Sequence, residues 1–250
     1  MNKKRLIATL VLLNDIVVQS IQFKRYLPLG KISVFLENLD RWGVDEIIIL
    51  DINRSKFNIE PNFKLFEKIE KFKLKTPIIY GGNIRNKQDA INLIRYGADR
   101  IILGRNFFYN TSKIEEITQA LGQQALIFSL PIIKKKNLFF YDHCSKKLIC
   151  LKNFFIDKNL VSEIFITDVK HEGIQKGFDS NILRLYNQDN IPKIIFGGIS
   201  SSYQIKKLLN FKNINAFAVG NFLSYKEHAF QNFLEHLPRN RFRFPTYKKN

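Results

Sequence analysis

Two carboxylates close two similar apolar runs, Asp51 at the end of EIIILD and Asp168 at the end of EIFITD. Such a pair can take and give a proton, one residue as acid and the other as base, if the fold brings both within hydrogen-bond reach of a substrate. At strand ends they can equally cap the next turn or hold ribose hydroxyls. Behind each lies a Gly-Gly pair, Gly81 and Gly82 in IIYGGNI and Gly197 and Gly198 in IIFGGIS. A single glycine follows, Gly104 in ILGRNFF and Gly220 in AVGNFLS. Backbone N–H groups at strand-to-helix turns bind phosphate without any side chain. The plainer alternative is that Gly-Gly only permits a tight turn. All three features recur 116 or 117 positions apart. Agreement at one offset reads as a duplicated unit with equivalent sites on opposite sides of one mouth, suited to a ligand with a phosphate at each end.

Those residues need elements to hold them. Short apolar runs alternate with stretches of helical period, beginning with Leu6 to Leu13 and then Ile32, Phe35, Leu36, Leu39 and Trp42 on one helix face. Strands are expected at 46–51, 77–82 and 100–104, with helices around 63–72 and 87–97. The second half repeats the pattern with strands at 125–133, 162–169, 192–198 and 216–220. Eight strand–helix units in 250 residues predict an α/β fold, a single (β/α)8 TIM barrel built from two duplicated half-barrels. It is expected over 1–238, followed by a basic aromatic tail, RNRFRFPTYKKN, at 239–250.

Composition narrows the function classes. Forty Lys and Arg against 22 Asp and Glu give a formal charge of +18, which attracts phosphates, acidic partners or nucleic acid. The lysines are spread along the whole chain and form no patch, which argues against nucleic acid. The tail's arginines interleave with Phe242, Phe244 and Tyr247, a pattern that can stack on single strands, dock on the barrel or grip an acidic partner subunit. Two cysteines, Cys144 and Cys150, make no disulfide framework and suit a reducing cytoplasm. His143 beside Cys144 has no second ligand pair at zinc-like spacing, so no metal is expected, nor any cofactor. The opening MNKKRLIATLVLLND imitates an export signal but lacks the small-residue cleavage pattern. Its apolar run of about eight residues is too short to cross a bilayer and reads as a strand buried on both faces.

Over nearly its full length the chain resembles the cyclase subunit of imidazole glycerol phosphate synthase and its isomerase sister in histidine biosynthesis. The residues that carry the likeness are KRLIATL, GVDEIIILDI, YGGNI, YGADRIILG, EIFITDVKHEGIQKGFD and FGGIS, in that order. The resemblance implies a lyase barrel that takes ammonia from a separate glutaminase subunit and cyclises a nucleotide bearing two phosphates. It also implies an Asp at the end of the first strand and another at the end of the fifth. Here those positions hold Val11 and Pro131, and no pKa shift makes an acid of either. Asp15 and Asp142, a few residues beyond those strands, are possible substitutes, as are Asp51 and Asp168.

At the other end of the barrel the resemblance implies a salt-bridged ammonia gate, and its positions are Arg5, Glu46, Arg100 and Glu163, all charged. Asp99 matches a position that faces the glutaminase. Salt bridges that simply close the barrel bottom are the competing reading. A kept gate with an altered chemical face is similar to secondary cyclase-like proteins of bacterial surface-sugar amidation. The likeness rests on TLVLLND, VVQSIQFKRYLPLGK and VGNFLSYKEHAF, whereas GRN at 104–106 looks more like the isomerase sister.

The expectation is a cytoplasmic heterodimer with a glutaminase that amidates a phosphorylated or nucleotide-linked sugar, with a separate amidotransferase as a further partner. Gly82, Gly104, Arg105, Gly173, Gly198, Gly220 and Asn221 are expected to hold phosphates. A histidine-pathway cyclase and a non-catalytic scaffold or polyanion-binding module are the alternatives.

Overall fold

The computed structural model describes residues 3–186, 190–224 and 228–245. Eight parallel strands form the barrel: β1 (Arg5–Leu13), β2 (Glu46–Asp51), β3 (Ile78–Gly81), β4 (Arg100–Leu103), β5 (Leu126–Lys134), β6 (Glu163–Asp168), β7 (Lys193–Phe196) and β8 (Ile214–Val219). Each pairs with the next, and β8 returns to β1, so no barrel edge is left open. Helices pack outside, the first being α1 (Ile32–Trp42), whose Leu36 and Leu39 are buried while Gly43 ends it in the left-handed region at φ 71°. The expected helix at 63–72 divides into an α-helix over Phe63–Ile69 and a 3-10 turn over Glu70–Phe72.

Alternation along the strands sets the two faces. Ile7, Ile48, Ile79, Ile102, Ile127, Phe165, Ile194 and Ala216, one from each strand, share an apolar cluster inside the barrel. Their strand neighbours pack in the larger core beneath the helices. The Val- and Ile-rich runs therefore lack polar alternation because both faces are dry.

The duplication holds at the level of register. Val11 pairs with Leu50 and Leu12 with Asp51, while Thr167 pairs with Pro131 and Asp168 with Ile132. Each half also extends its first strand into an antiparallel excursion that periodicity alone did not reveal. The β1 end pairs with Ile16–Ile21, which pairs with Arg25–Lys31. The β5 end pairs with Leu138–Tyr141, which pairs with Leu148–Cys150. Pro131 lies where β5 has made its last pair with β4, Leu103 with Phe128, and has not yet met its hairpin, Ile132 with Phe140. A residue without an N–H is tolerated at such a break.

Residues 238–245 fold back under the barrel. Phe242 is fully buried, bridges Lys4 and lies 6.0 Å from the Phe217 ring. Tyr247 falls outside the described residues.

Candidate functional site: a charged ring below, an apolar mouth above

At the N-terminal mouth four charges alternate in a ring. Arg5 bridges Glu46 at 2.8 Å and also Glu163, while Arg100 bridges Glu163 at 2.7 Å and approaches Glu46 at 3.6 Å. Arg100 further donates to the Ser162 hydroxyl at 2.6 Å and the Gln124 carbonyl at 3.1 Å. All four side chains are at most 14% exposed. Burial drives the Glu46 carboxyl up, Arg5 and Arg100 oppose this, and the net direction is upward. Burial also opposes the Arg5 charge, but Glu163 and Glu46 outweigh it and hold the guanidinium above its ordinary value. Ions this dry are tolerated because each has an opposite charge on either side.

Above the ring lies the apolar interior cluster, and nearer the C-terminal mouth the inward positions include the uncharged polar Thr9, Ser129 and Thr167. Val11 is buried on the inner face, and Pro131, also buried, occupies the duplicate position. Phe23, from the turn of the first hairpin, packs against the interior cluster and meets the His143 ring edge-on at 4.8 Å. Both excursions thus reach over the mouth.

Asp51 and Asp168 alternate with the inward Leu50 and Thr167, so they face the helix layer, on opposite sides of the barrel. Each is 2% exposed. Asp51 accepts from Asn62 at 3.2 Å and lies 3.6 Å from Arg54. Asp168 lies 2.6 Å from His171 Nδ1 and accepts from the Asp179 N–H at 2.9 Å. Burial pushes the Asp51 carboxyl up. The hydrogen bond to Asp168 raises the His171 imidazole.

The glycines divide unequally. Gly173, Gly198 and Gly220, from the loops after β6, β7 and β8, line one small pocket together with Asn221. Gly173 and Gly198 have φ of 74° and 80°, and a Cβ on Gly198 would lie 2.6 Å from the Gly177 carbonyl oxygen. Only glycine satisfies both demands there. In the other half Gly82 is packed under Tyr80, with Asp51 2.9 Å from where its Cβ would be. Gly104 faces open space, its nearest such neighbour being Ser129 at 4.0 Å. Arg105 is bound to Asp142 at 2.8 Å.

The family search decides what this geometry belongs to. Residues 5–229 match the family described as Histidine biosynthesis protein. The chain belongs to that family. A provisionally named imidazole glycerol phosphate synthase subunit hisF2 from Vibrio vulnificus is 29% identical over 92% of this chain and 86% of its own length. A second of that name from Campylobacter jejuni is 30% identical over 84% and 86%. The imidazole glycerol phosphate synthase subunit HisF of Staphylococcus aureus is 26% identical over 94% and 96%. The family read from the motifs is the one found.

One position in this family member escaped the motif reading. Glu172, one residue before Gly173, is 1% exposed and lines the glycine pocket. It accepts from the Ser20 hydroxyl and the Phe23 N–H, both at 3.0 Å. Burial pushes its carboxyl to about 7. Its acidity and its glycine neighbour were legible, but its partners come from 150 residues away in the chain and were not. Asp142 is not a free acid: burial works against its charge, yet bonds from Ser145 and Arg105 hold it below the usual carboxylate range. Asp15 accepts from Asn62 at 2.6 Å. Asp99 is exposed near the ring and accepts from the Ile78 N–H at 2.7 Å. Cys144 and Cys150 are free thiols. Among the described residues no helix is long and apolar enough to cross a membrane. No group of three His, Cys, Asp or Glu among them is placed to hold a metal.

Proposed function

We propose that this barrel pairs with a glutaminase subunit in the cytoplasm and receives its ammonia for amidation of a phosphorylated or nucleotide-linked sugar in surface-glycan synthesis. A separate amidotransferase is a further partner in this reading. The observation that carries it is the contrast between the ends: an intact ring of Arg5, Glu46, Arg100 and Glu163 below, and Val11 with Pro131 at the duplicated carboxylate positions above. A reaction that uses ammonia needs the entrance, whereas the two lost acids remove the proton carriers that ring closure would use. Asp99, on the same face as the ring, belongs to the partner surface in this reading.

One phosphate lies at Gly173, Gly198, Gly220 and Asn221, where three loops converge. A second lies at Gly82, Gly104 and Arg105, with the guanidinium exchanging Asp142 for the ligand. Asp51 and Asp168 take part by holding the loops after β2 and β6, since each is buried and engaged.

The test reconstitutes the barrel with the glutaminase from its own genome and measures glutamine-dependent ammonia delivery. Glu46→Ala and Arg100→Ala should each abolish delivery while glutamine hydrolysis continues. No association with that glutaminase, or unchanged delivery in both variants, would sink the reading.

A second reading, a working cyclase of histidine synthesis, is favoured by the Staphylococcus aureus relative, whose name is that subunit and which matches 94% of this chain. Glu172, poised near neutrality beside the glycine pocket, would be its proton carrier. Complementation of a histidine auxotroph, abolished by Glu172→Gln, would establish it.

A further inference from the structure

The outer strand of the first hairpin, Arg25–Lys31, stands clear of the barrel. Among the described residues it pairs only with Ile16–Ile21, and its other edge meets no strand. Five of its seven residues are exposed. At its middle lies an apolar triplet, Leu27, Pro28 and Leu29, with Leu27 54% and Leu29 37% exposed. Val34, in the first turn of α1 and 57% exposed, borders the same hollow as Leu29. Cations flank the triplet, Lys24 and Arg25 before it and Lys31 after it, and no acid occurs between positions 16 and 36.

The edge is firm and closed to another strand. Ser20 gives its N–H to the Asn221 side chain and accepts that side chain's amide on its carbonyl. Ser20 and its partner Tyr26 therefore form a non-hydrogen-bonded pair, and alternation points the backbone of Tyr26 and Pro28 outward. Proline has no N–H, so the middle of this edge lacks the donor a ladder needs. The Tyr26 hydroxyl donates to the Phe23 carbonyl at 2.5 Å, which braces the turn.

Such a ridge suits a surface that needs no matching shape. A protein partner requires roughly 1,000 Å² of complementary area, which one strand edge does not supply. A lipid interface needs only apolar side chains to enter the acyl boundary and cations to meet anionic headgroups. The missing donor at Pro28 also lowers the cost of drying that edge. The formal charge of +18 adds long-range attraction to an anionic bilayer.

We propose that the first hairpin docks the barrel on an anionic lipid surface, with Leu27, Pro28 and Leu29 entering the interface and Lys24, Arg25 and Lys31 meeting headgroup phosphates. The association is peripheral and does not depend on the glutaminase reading.

The experiment sediments the full-length protein with vesicles of equal parts phosphatidylcholine and phosphatidylglycerol. A chain of this charge is drawn to any anionic vesicle, so the variants separate the hairpin from net charge. Leu27→Ser, which changes no charge, should weaken binding roughly tenfold. Arg25→Glu should weaken it by about tenfold or more. Arg95→Glu makes the same change of charge in the last turn of the helix Lys87–Arg95, at the opposite end of the barrel, and should weaken it about twofold or less. All three positions are exposed, so the variants keep the parent's packing. No binding by the parent, binding unchanged in Leu27→Ser, or equal losses in Arg25→Glu and Arg95→Glu would each overturn the site. So would the same pattern of losses on soluble polyglutamate, which would assign the hairpin to an acidic protein.

Discussion

Glu172, in the loop after β6, accepts the Ser20 hydroxyl of the first hairpin at 3.0 Å, so one buried carboxyl ties the two half-barrels together across the mouth. Its carbonyl also accepts the Gln22 N–H at 2.9 Å. The hairpin that carries Phe23 into the mouth is held at this point.

That carboxyl sets a pH dependence. Its value rises from 4.5 to about 7 through burial, so the folded state holds a proton that the unfolded state releases. Stability from this group is greatest below the unfolded value and declines as pH climbs from 4.5 towards 7. Glu172→Gln keeps an oxygen for Ser20 and carries no charge. Its melting temperature should rise relative to the parent between pH 5 and pH 8; a constant difference would mean that Glu172 is not desolvated.

Asp168 and His171 form the second titratable pair at the mouth. The 2.6 Å contact favours the imidazolium, so stability from it is present at low pH and is lost as pH rises through the elevated histidine value. Asp168→Asn should lower the His171 value in a proton NMR titration. An unmoved titration would mean that the contact does not form in solution.

The ring at the barrel bottom should be costly to break from one side. Glu163→Ala leaves Arg5 and Arg100 without their nearest carboxylate, a loss of about 3–5 kcal/mol for an uncompensated buried charge. Urea unfolding measures it directly. A loss under about 1 kcal/mol, the worth of a surface pair, would mean that the ring is solvated and open.

Two glycines should answer differently to alanine. Gly198→Ala meets both a left-handed φ and the Gly177 carbonyl, and should destabilise the protein and abolish inorganic phosphate binding. Gly104→Ala enters open space, so its unfolding midpoint should stay within about 0.5 kcal/mol of the parent. Isothermal calorimetry with phosphate, read beside each midpoint, separates ligand effects from folding effects.

Much of the barrel was legible in the residues. Eight apolar runs, the common offset and the glycines after them required strand–helix units duplicated once, because strands dry on both faces and joined by short glycine turns leave few other solutions. The ring residues were legible as charges through the family resemblance. The missing acids were legible as well, since Val11 and Pro131 are read directly from the chain.

Tertiary structure decided the rest. Whether Asp51 and Asp168 face the lumen depends on which side of a two-sided apolar strand turns inward. A run such as EIIILD has no polar alternation to say so, and the register turned both outward. Whether Arg105 is free depends on a hairpin that brings Asp142 to it from 37 residues away. The latch at Glu172 arises only where the loop after β6 meets the first hairpin, some 150 residues away in the chain. Periodicity within a segment fixes its own conformation, while contacts between segments are set by packing of the whole chain.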